Sequence, residues 1–111
     1  MPKVLLVDAD QIHAERIRKS LVTRAYEVDV YLDPNQATTW LQQANTDYEV
    51  VILNVSNALP PWIAILAKLQ AACFRLEVYS SPFFLCTSNT KRSIEFELRL
   101  ERMGARYVYE G

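Results

Sequence analysis

The stretch Val50-Val51-Ile52-Leu53-Asn54 decides the fold: four consecutive apolar residues closed by an amide. A short β-branched and leucine run without polar alternation hides both of its faces, as a strand inside a parallel sheet does. Lys3-Val4-Leu5-Leu6-Val7 reads the same way, and Asp8 and Asp10 follow it directly. In an open α/β sheet, ligands bind in the crevice outside the carboxyl ends of the strands. Asp8, Asp10 and Asn54 are therefore expected to converge in one crevice.

Working outward, residues 11 to 24 carry Ile12, Ile17 and Leu21 with Arg16, Arg18 and Lys19 between them, the pattern of an amphipathic first helix. His13, early in that helix, is expected to be solvated. Glu27 to Leu32 reads as a second strand. Asp33-Pro34 then marks a helix start, with proline at the first helical position and aspartate as cap, running to about Ala44. The third strand is expected over Val50 to Val55, followed by the loop Ser56-Asn57-Ala58-Leu59-Pro60-Pro61 and a third helix from near Pro61. In that helix Ile63, Leu66, Ala67, Leu69 and Gln70 recur at helical spacing, and Trp62 should pack beneath the loop. Phe83 to Cys86 and Tyr107 to Tyr109 complete the strands, with Gly104 as a helix C-cap between them.

Four segments, VLLVDAD, YEVVILNV, FFLCTS and GARYVYEG, occur in this order along the chain. Together they resemble the signature regions of bacterial response-regulator receiver domains. The resemblance implies a flavodoxin-like α/β fold, doubly wound around a five-stranded parallel sheet in the order 2-1-3-4-5. It also implies a pocket in which an aspartate after the third strand accepts a phosphoryl group from a histidine kinase, with Mg²⁺ held by acidic residues after the first strand. By this resemblance the phosphoacceptor falls on Asn54, the acidic pair on Asp8 and Ala9, the switch hydroxyl on Thr87, the switch aromatic on Tyr107 and the invariant lysine on Glu110. The last correspondence needs one residue deleted between Gly104 and Tyr107. Only Asp8, Thr87 and Tyr107 match, while Asp10 supplies the third acid that many receivers carry.

The departures bear on chemistry. An acyl phosphate needs a carboxylate nucleophile, and the Asn54 amide lacks both its charge and its basicity. Mg²⁺ asks for octahedral oxygen ligation, so Asn54 and Ala9 remove much of what would hold it, leaving Asp8 and Asp10 as the residual candidates. Glu110 places a negative charge where phosphoryl transfer is normally helped by a cation. Simpler roles compete for several of these residues: Asp10 as a helix N-cap, Ser88, Asn89 or Thr90 as caps of the next helix, and Tyr107 as a packed strand aromatic.

Lys91 to Met103 reads as a fourth helix with two apolar sides. At about 100° per residue, Phe96, Leu100 and Met103 form one stripe and Ile94 and Leu98 fall nearly opposite. Lys91, Glu95, Arg99 and Arg102 form a charge ladder between them. The sequence ends at Gly111, where a receiver would continue into a fifth helix. Either the chain is part of a longer protein or a partner covers that side of the sheet.

With 111 residues, half of them hydrophobic, and no Pro/Gly/Ser-rich linker, one domain over 1–111 is expected. A net charge of −1 and a pI near 5.8 give no electrostatic footprint for direct nucleic-acid or anionic-membrane binding. No apolar run long enough for a membrane span and no leader pattern is seen, which points to the cytoplasm. Cys73 and Cys86 lack metal-ligand spacing and read as reduced core residues. Neither of the two glycines sits in a phosphate-cradling loop. No cofactor is expected.

The resulting expectation is a non-enzymatic, phosphorylation-independent, receiver-like signalling module. It would act by protein contact, as a homodimer or as the regulatory part of a larger assembly such as a transcriptional regulator, through the fourth-helix and fifth-strand face at Ile94 and Leu98. The alternatives are a metal-dependent phosphoacceptor or phosphatase-like enzyme using Asp8 and Asp10, and a structural dimerisation domain.

Overall fold

In the computed structural model, which describes residues 1–43, 46–58, 60–74 and 81–111, nine elements alternate along the chain. They are β1 (Lys3–Val7), α1 (Gln11–Thr23), β2 (Glu27–Tyr31), α2 (Pro34–Gln43), β3 (Val50–Asn54), α3 (Trp62–Cys73), β4 (Phe83–Ser88), α4 (Ile94–Arg102) and β5 (Ala105–Tyr109). All strand pairs are parallel and the sheet order is β2-β1-β3-β4-β5, as expected for a doubly wound fold. The reversal of strand order between β1 and β3 places the crevice at the ends of those two strands. Ala44 and Leu59, named in the expected helix end and loop, lie outside the described residues. No helix among the described residues is long and apolar enough to cross a membrane.

Strand alternation sorts the interior into two layers. On one side Leu5, Val7, Val51, Leu53, Phe84 and Cys86 pack with Ala37 and Leu41 of α2, Leu66 and Leu69 of α3 and Leu100 of α4. On the other, Val4, Leu6 and Ile52 pack with Ala14, Ile17 and Leu21 of α1. Beyond the reach of α1, Phe83 and Val108 on the outer strands stay exposed. Burial pushes the Cys86 thiol up to about 12, so it behaves as an inert core group.

Two expectations shift in detail. The core stripe of α1 runs through His13, Ala14, Ile17 and Leu21, while Ile12 is 76% exposed. Positions 13, 17 and 21 repeat every four residues, so their side chains fall on one face, and Ile12 stands well away from it. His13 is thus buried rather than solvated. The fourth helix begins at Ile94, not near Lys91, because the Ser93 side chain caps it by accepting from Phe96 N. Lys91 therefore precedes the helix and has no helical i,i+4 relation to Glu95. Ser88 and Thr90 instead close a turn of their own, with Thr90 N donating to Ser88 Oγ at 3.1 Å.

Helix ends show how local chemistry fixes the boundaries. Asn35 N donates to Asp33 Oδ1 at 2.9 Å, which starts α2 at Pro34 as expected. Gly104, at φ +88°, follows α4 as its C′ residue. The end of α1 uses the same left-handed turn, with Tyr26 N donating to Leu21 O and Ala25 N to Val22 O, but the residue at φ +68° is Ala25. An L-residue with a Cβ is strained there by about 1–2 kcal/mol. Ala25→Gly should therefore raise the unfolding free energy by about 1 kcal/mol once glycine's extra chain entropy is deducted. Gly104→Ala should lower it by a similar amount, although a Cβ there meets no atom within 4 Å. Urea titration of the two variants reads both signs.

Candidate functional site

The ends of β1, β3, β4 and β5 meet the start of α1 in a connected polar row. Asp8, only 1% exposed, accepts on Oδ1 from Asp10 N at 2.9 Å and from Asn54 Nδ2 at 2.9 Å, and its Oδ2 bonds closely to His13 Nδ1. The other ring nitrogen of His13, Nε2, lies 2.7 Å from Glu110 Oε2. Asn54 Oδ1 accepts from both Ser56 N at 2.9 Å and Ser56 Oγ at 2.5 Å. The backbone donor fixes which way the amide points. Ser56 Oγ in turn accepts from Asn89 N at 3.0 Å, which extends the row to the loop after β4.

Each part of this row follows from local sequence. Asp10 is the N-cap of α1, its Oδ1 accepting from Ile12 N and His13 N at 3.1 Å, so the simpler role weighed for it is the one it plays. Capping at Asp10 puts His13 on the first turn, facing the sheet. Glu110 follows β5 directly and is held by its own N–H, which donates to Ser88 O at 2.7 Å.

The charge state of His13 follows from geometry. A neutral imidazole has one N–H, so between two ionised carboxylates it would leave one of them facing a lone pair, whereas the doubly protonated ring donates to both. The 3.3 Å approach of Asn54 Nδ2 to His13 Nδ1 then sets two donors side by side, and the amide hydrogen bond belongs to Asp8. Burial disfavours the charged ring, but the hydrogen bonds and charges of Asp8 and Glu110 together outweigh it, and the His13 pKa is raised above its ordinary value.

In front of this row lies a cavity of about 420 Å³ lined by Asp8, Ala9, Asp10, Asn54, Ser56, Asn57, Pro60, Trp62 and Asn89. Trp62 packs beneath the loop as expected, 5% exposed, its Nε1 donating to Asn57 O. Arg92 ties the same loop from the other side, donating to Val55 O at 2.7 Å and Asn57 O at 3.1 Å while its guanidinium lies 4.1 Å from the Phe96 ring centroid. A wider hollow of about 650 Å³ between α2 and α3 contains one ionisable residue, Lys68, and no comparable polar row.

Of the residues singled out in the sequence, Asp8, Ala9, Asp10 and Asn54 share the cavity wall. Thr87 sits beside Asn54 in register on β4, and Glu110 joins through His13. Tyr107 pairs with Cys86 one strand further out and is half-buried against the core. Among the described residues, Thr87 Oγ1 and Tyr107 OH are buried without a hydrogen-bond partner. Ile94 and Leu98 lie apart from the cavity on the outer side of α4, 74% and 43% exposed, with Val108 and Tyr109 exposed on the adjacent β5. His13 is the participant that sequence reasoning missed; its signal was the shared helical phase with Ile17 and Leu21.

In fold, the chain is similar to several solved structures. The chain matches the V. cholerae chemotaxis protein CheY4 at 21% identity and TM-score 0.75, over 99% of this chain and 87% of that one. It matches HP1043, an orphan response regulator of H. pylori, at 21% identity and TM-score 0.74, over 98% of this chain and 82% of that one. The response regulator TrrA of Thermotoga maritima, solved in complex with Mg²⁺–BeF, matches at 17% and TM-score 0.74, over 100% and 88%. The fold is that of response-regulator receiver domains. No protein-family model and no curated protein matches the chain.

Against the Mg²⁺ chemistry of such receivers, the donors present here do not fit. Both Asp8 oxygens, Asp10 Oδ1 and Asn54 Oδ1 are already hydrogen-bonded within the protein, and Ala9 offers no side-chain oxygen. Among the described residues no group of three His, Cys, Asp or Glu side chains has a metal-holding arrangement.

The raised pKa of His13 carries a sign. Its stabilisation is fully present below the unfolded-state value near 6.5 and is lost as pH rises through the higher folded-state value. Between roughly pH 6 and 7.5, below the range where cysteine titrates, the wild type should lose stability with rising pH more steeply than His13→Gln. Chemical denaturation at several pH values compares the slopes; parallel slopes would show that folding does not raise the His13 pKa.

Proposed function

We propose that residues 1–111 form a receiver-like signalling module of the cytoplasm that does not depend on phosphorylation and works through protein contact. The observation that carries this reading is Asn54 at the end of β3, an amide fixed at both ends by Asp8 and Ser56 where a receiver presents its nucleophilic carboxylate. An amide so held neither attacks phosphorus nor turns toward the cavity without breaking three hydrogen bonds. The competing phosphoacceptor or phosphatase reading requires Asp8 or Asp10 as nucleophile or metal ligand, and both are engaged in holding the fold.

The contact surface in this reading is the outer side of α4 with β5, where Ile94, Leu98 and Tyr109 are exposed. Its occupant is a second copy of the chain. Glu95, Arg99 and Arg102 line the exposed side of the same helix, so the patch carries both charge signs and can be its own complement across a two-fold axis. Output would follow from the assembly, for instance as the regulatory part of a transcriptional regulator.

Two measurements test the reading. Incubation with Mg²⁺ and a small acyl phosphate should leave the intact mass unchanged, and a stoichiometric phosphoryl adduct would sink it. Burying one such apolar side chain is worth roughly 1.5–3 kcal/mol, so Ile94→Glu with Leu98→Glu should weaken self-association by orders of magnitude in sedimentation experiments. The fold should survive, because Leu100 rather than these residues anchors α4. Unchanged association, or a partner lost while the monomer state is untouched, would rule out the homodimer.

A further inference from the structure

The polar row contains a charge arrangement that is the reverse of a receiver's. By resemblance, the residue after β5 should be a lysine facing a carboxylate-rich, Mg²⁺-binding pocket. Here that position is Glu110, and the positive group stands opposite it on α1, at His13. Three observations bear on what His13 does. It is 9% exposed, so its charge is poorly shared with water. It touches the buried Asp8 through one nitrogen and Glu110 through the other. Among the described residues it is the cation that Asp8 pairs with, since the remaining ion pairs lie elsewhere, at Lys3–Glu27 and Arg18–Glu15.

We propose that His13 is the resident cation of this pocket: held as an imidazolium between Asp8 and Glu110, it supplies internally the positive charge that a divalent ion and a lysine supply in a receiver, and thereby makes the pocket metal-independent. The proposal rests on the phosphorylation-independent reading of Asn54 and explains how the pocket stays intact without a ligand. Asp8 is oriented by its bond to His13, so a metal ion would have to displace the imidazole from Oδ2 and would then meet it as a like charge at close range. Glu110 adds a second consequence. Through His13 it fastens the segment after β5, the strand at one edge of the sheet, to the first turn of α1, which packs on β1 and β2.

The test is restoration of metal binding by removal of the histidine. Asn54→Asp alone adds a carboxylate beside Asp8, yet with His13 present its melting temperature should remain indifferent to Mg²⁺. With His13→Gln added to Asn54→Asp, the pocket holds uncompensated carboxylates. Mg²⁺ should then raise the melting temperature by roughly 5 °C or more when it stands about ten-fold above its Kd. Equal Mg²⁺ stabilisation of Asn54→Asp with and without His13 would overturn the proposal, as would a double variant that folds and ignores Mg²⁺. Should that variant fail to fold, ¹⁵N-detected imidazole spectra of the wild type decide at pH 6.5: both ring nitrogens protonated supports the resident cation, and a single protonated nitrogen rejects it. Mg²⁺ binding without a phosphoryl adduct would defeat this inference alone, whereas an adduct would defeat the functional reading on which it rests.

Discussion

A carboxylate at 1% exposure, Asp8, sets the terms for every residue around it. Removing such a group from water costs several kcal/mol unless charge and hydrogen bonds replace the lost hydration. Three groups do so here: the Asp10 N–H, the Asn54 amide and the His13 ring. Each comes from a different part of the chain, the turn after β1, the end of β3 and the first turn of α1. Satisfying one buried charge therefore fixes the relative positions of three elements at the crevice. Removing any single partner is costlier than its own hydrogen bond, because the charge left behind remains buried.

This constraint also fills the crevice from within. In TrrA the structure was solved with Mg²⁺–BeF bound. In the present chain the ends of β1 and β3 are engaged by the protein's own groups. Asn54 turns its carbonyl to Ser56 and its NH₂ to Asp8, and Ser56 passes the connection on to Asn89. Glu110, unfavourable in a phosphoryl-transfer site, is favourable beside His13. Asn54 and Glu110 thus belong to one network, joined through a histidine distant from both in sequence.

Much of the fold was legible in the sequence for a simple reason: buried parallel strands are apolar on both faces, and β1 and β3 stand out as unbroken runs. The ends of the outer strands were less legible. β4 extends to Ser88 and β5 begins at Ala105, buried residues whose polar or small side chains do not prolong the apolar runs in the sequence. Asp8 and Asn54 could be placed at one crevice from strand direction alone. Their partner His13 could not be found by composition, since a lone histidine near a helix start is ordinarily solvated. Only the phase of α1 reveals it, and that phase was obscured by Ile12, an apolar residue that the helix presents to solvent. The two-sided character of α4 was visible because Ile94 and Leu98 cannot share a face with Phe96 and Leu100 at helical spacing.

The pocket and the exposed α4–β5 surface are joined by the last residues of β5. Val108 and Tyr109 lie on that strand, and Glu110 follows at once, bonded to Ser88 O through its backbone and to His13 through its carboxylate. Thr87 lies on β4 and Tyr107 on β5, between the pocket and this surface. Those two side chains carry buried hydroxyl groups without partners among the described residues, so neither is tied to the polar row by a hydrogen bond. The firm connection runs instead along the backbone of β5 into Glu110 and across to α1. The end of β5 is in this way anchored to the first turn of α1 through a single buried histidine.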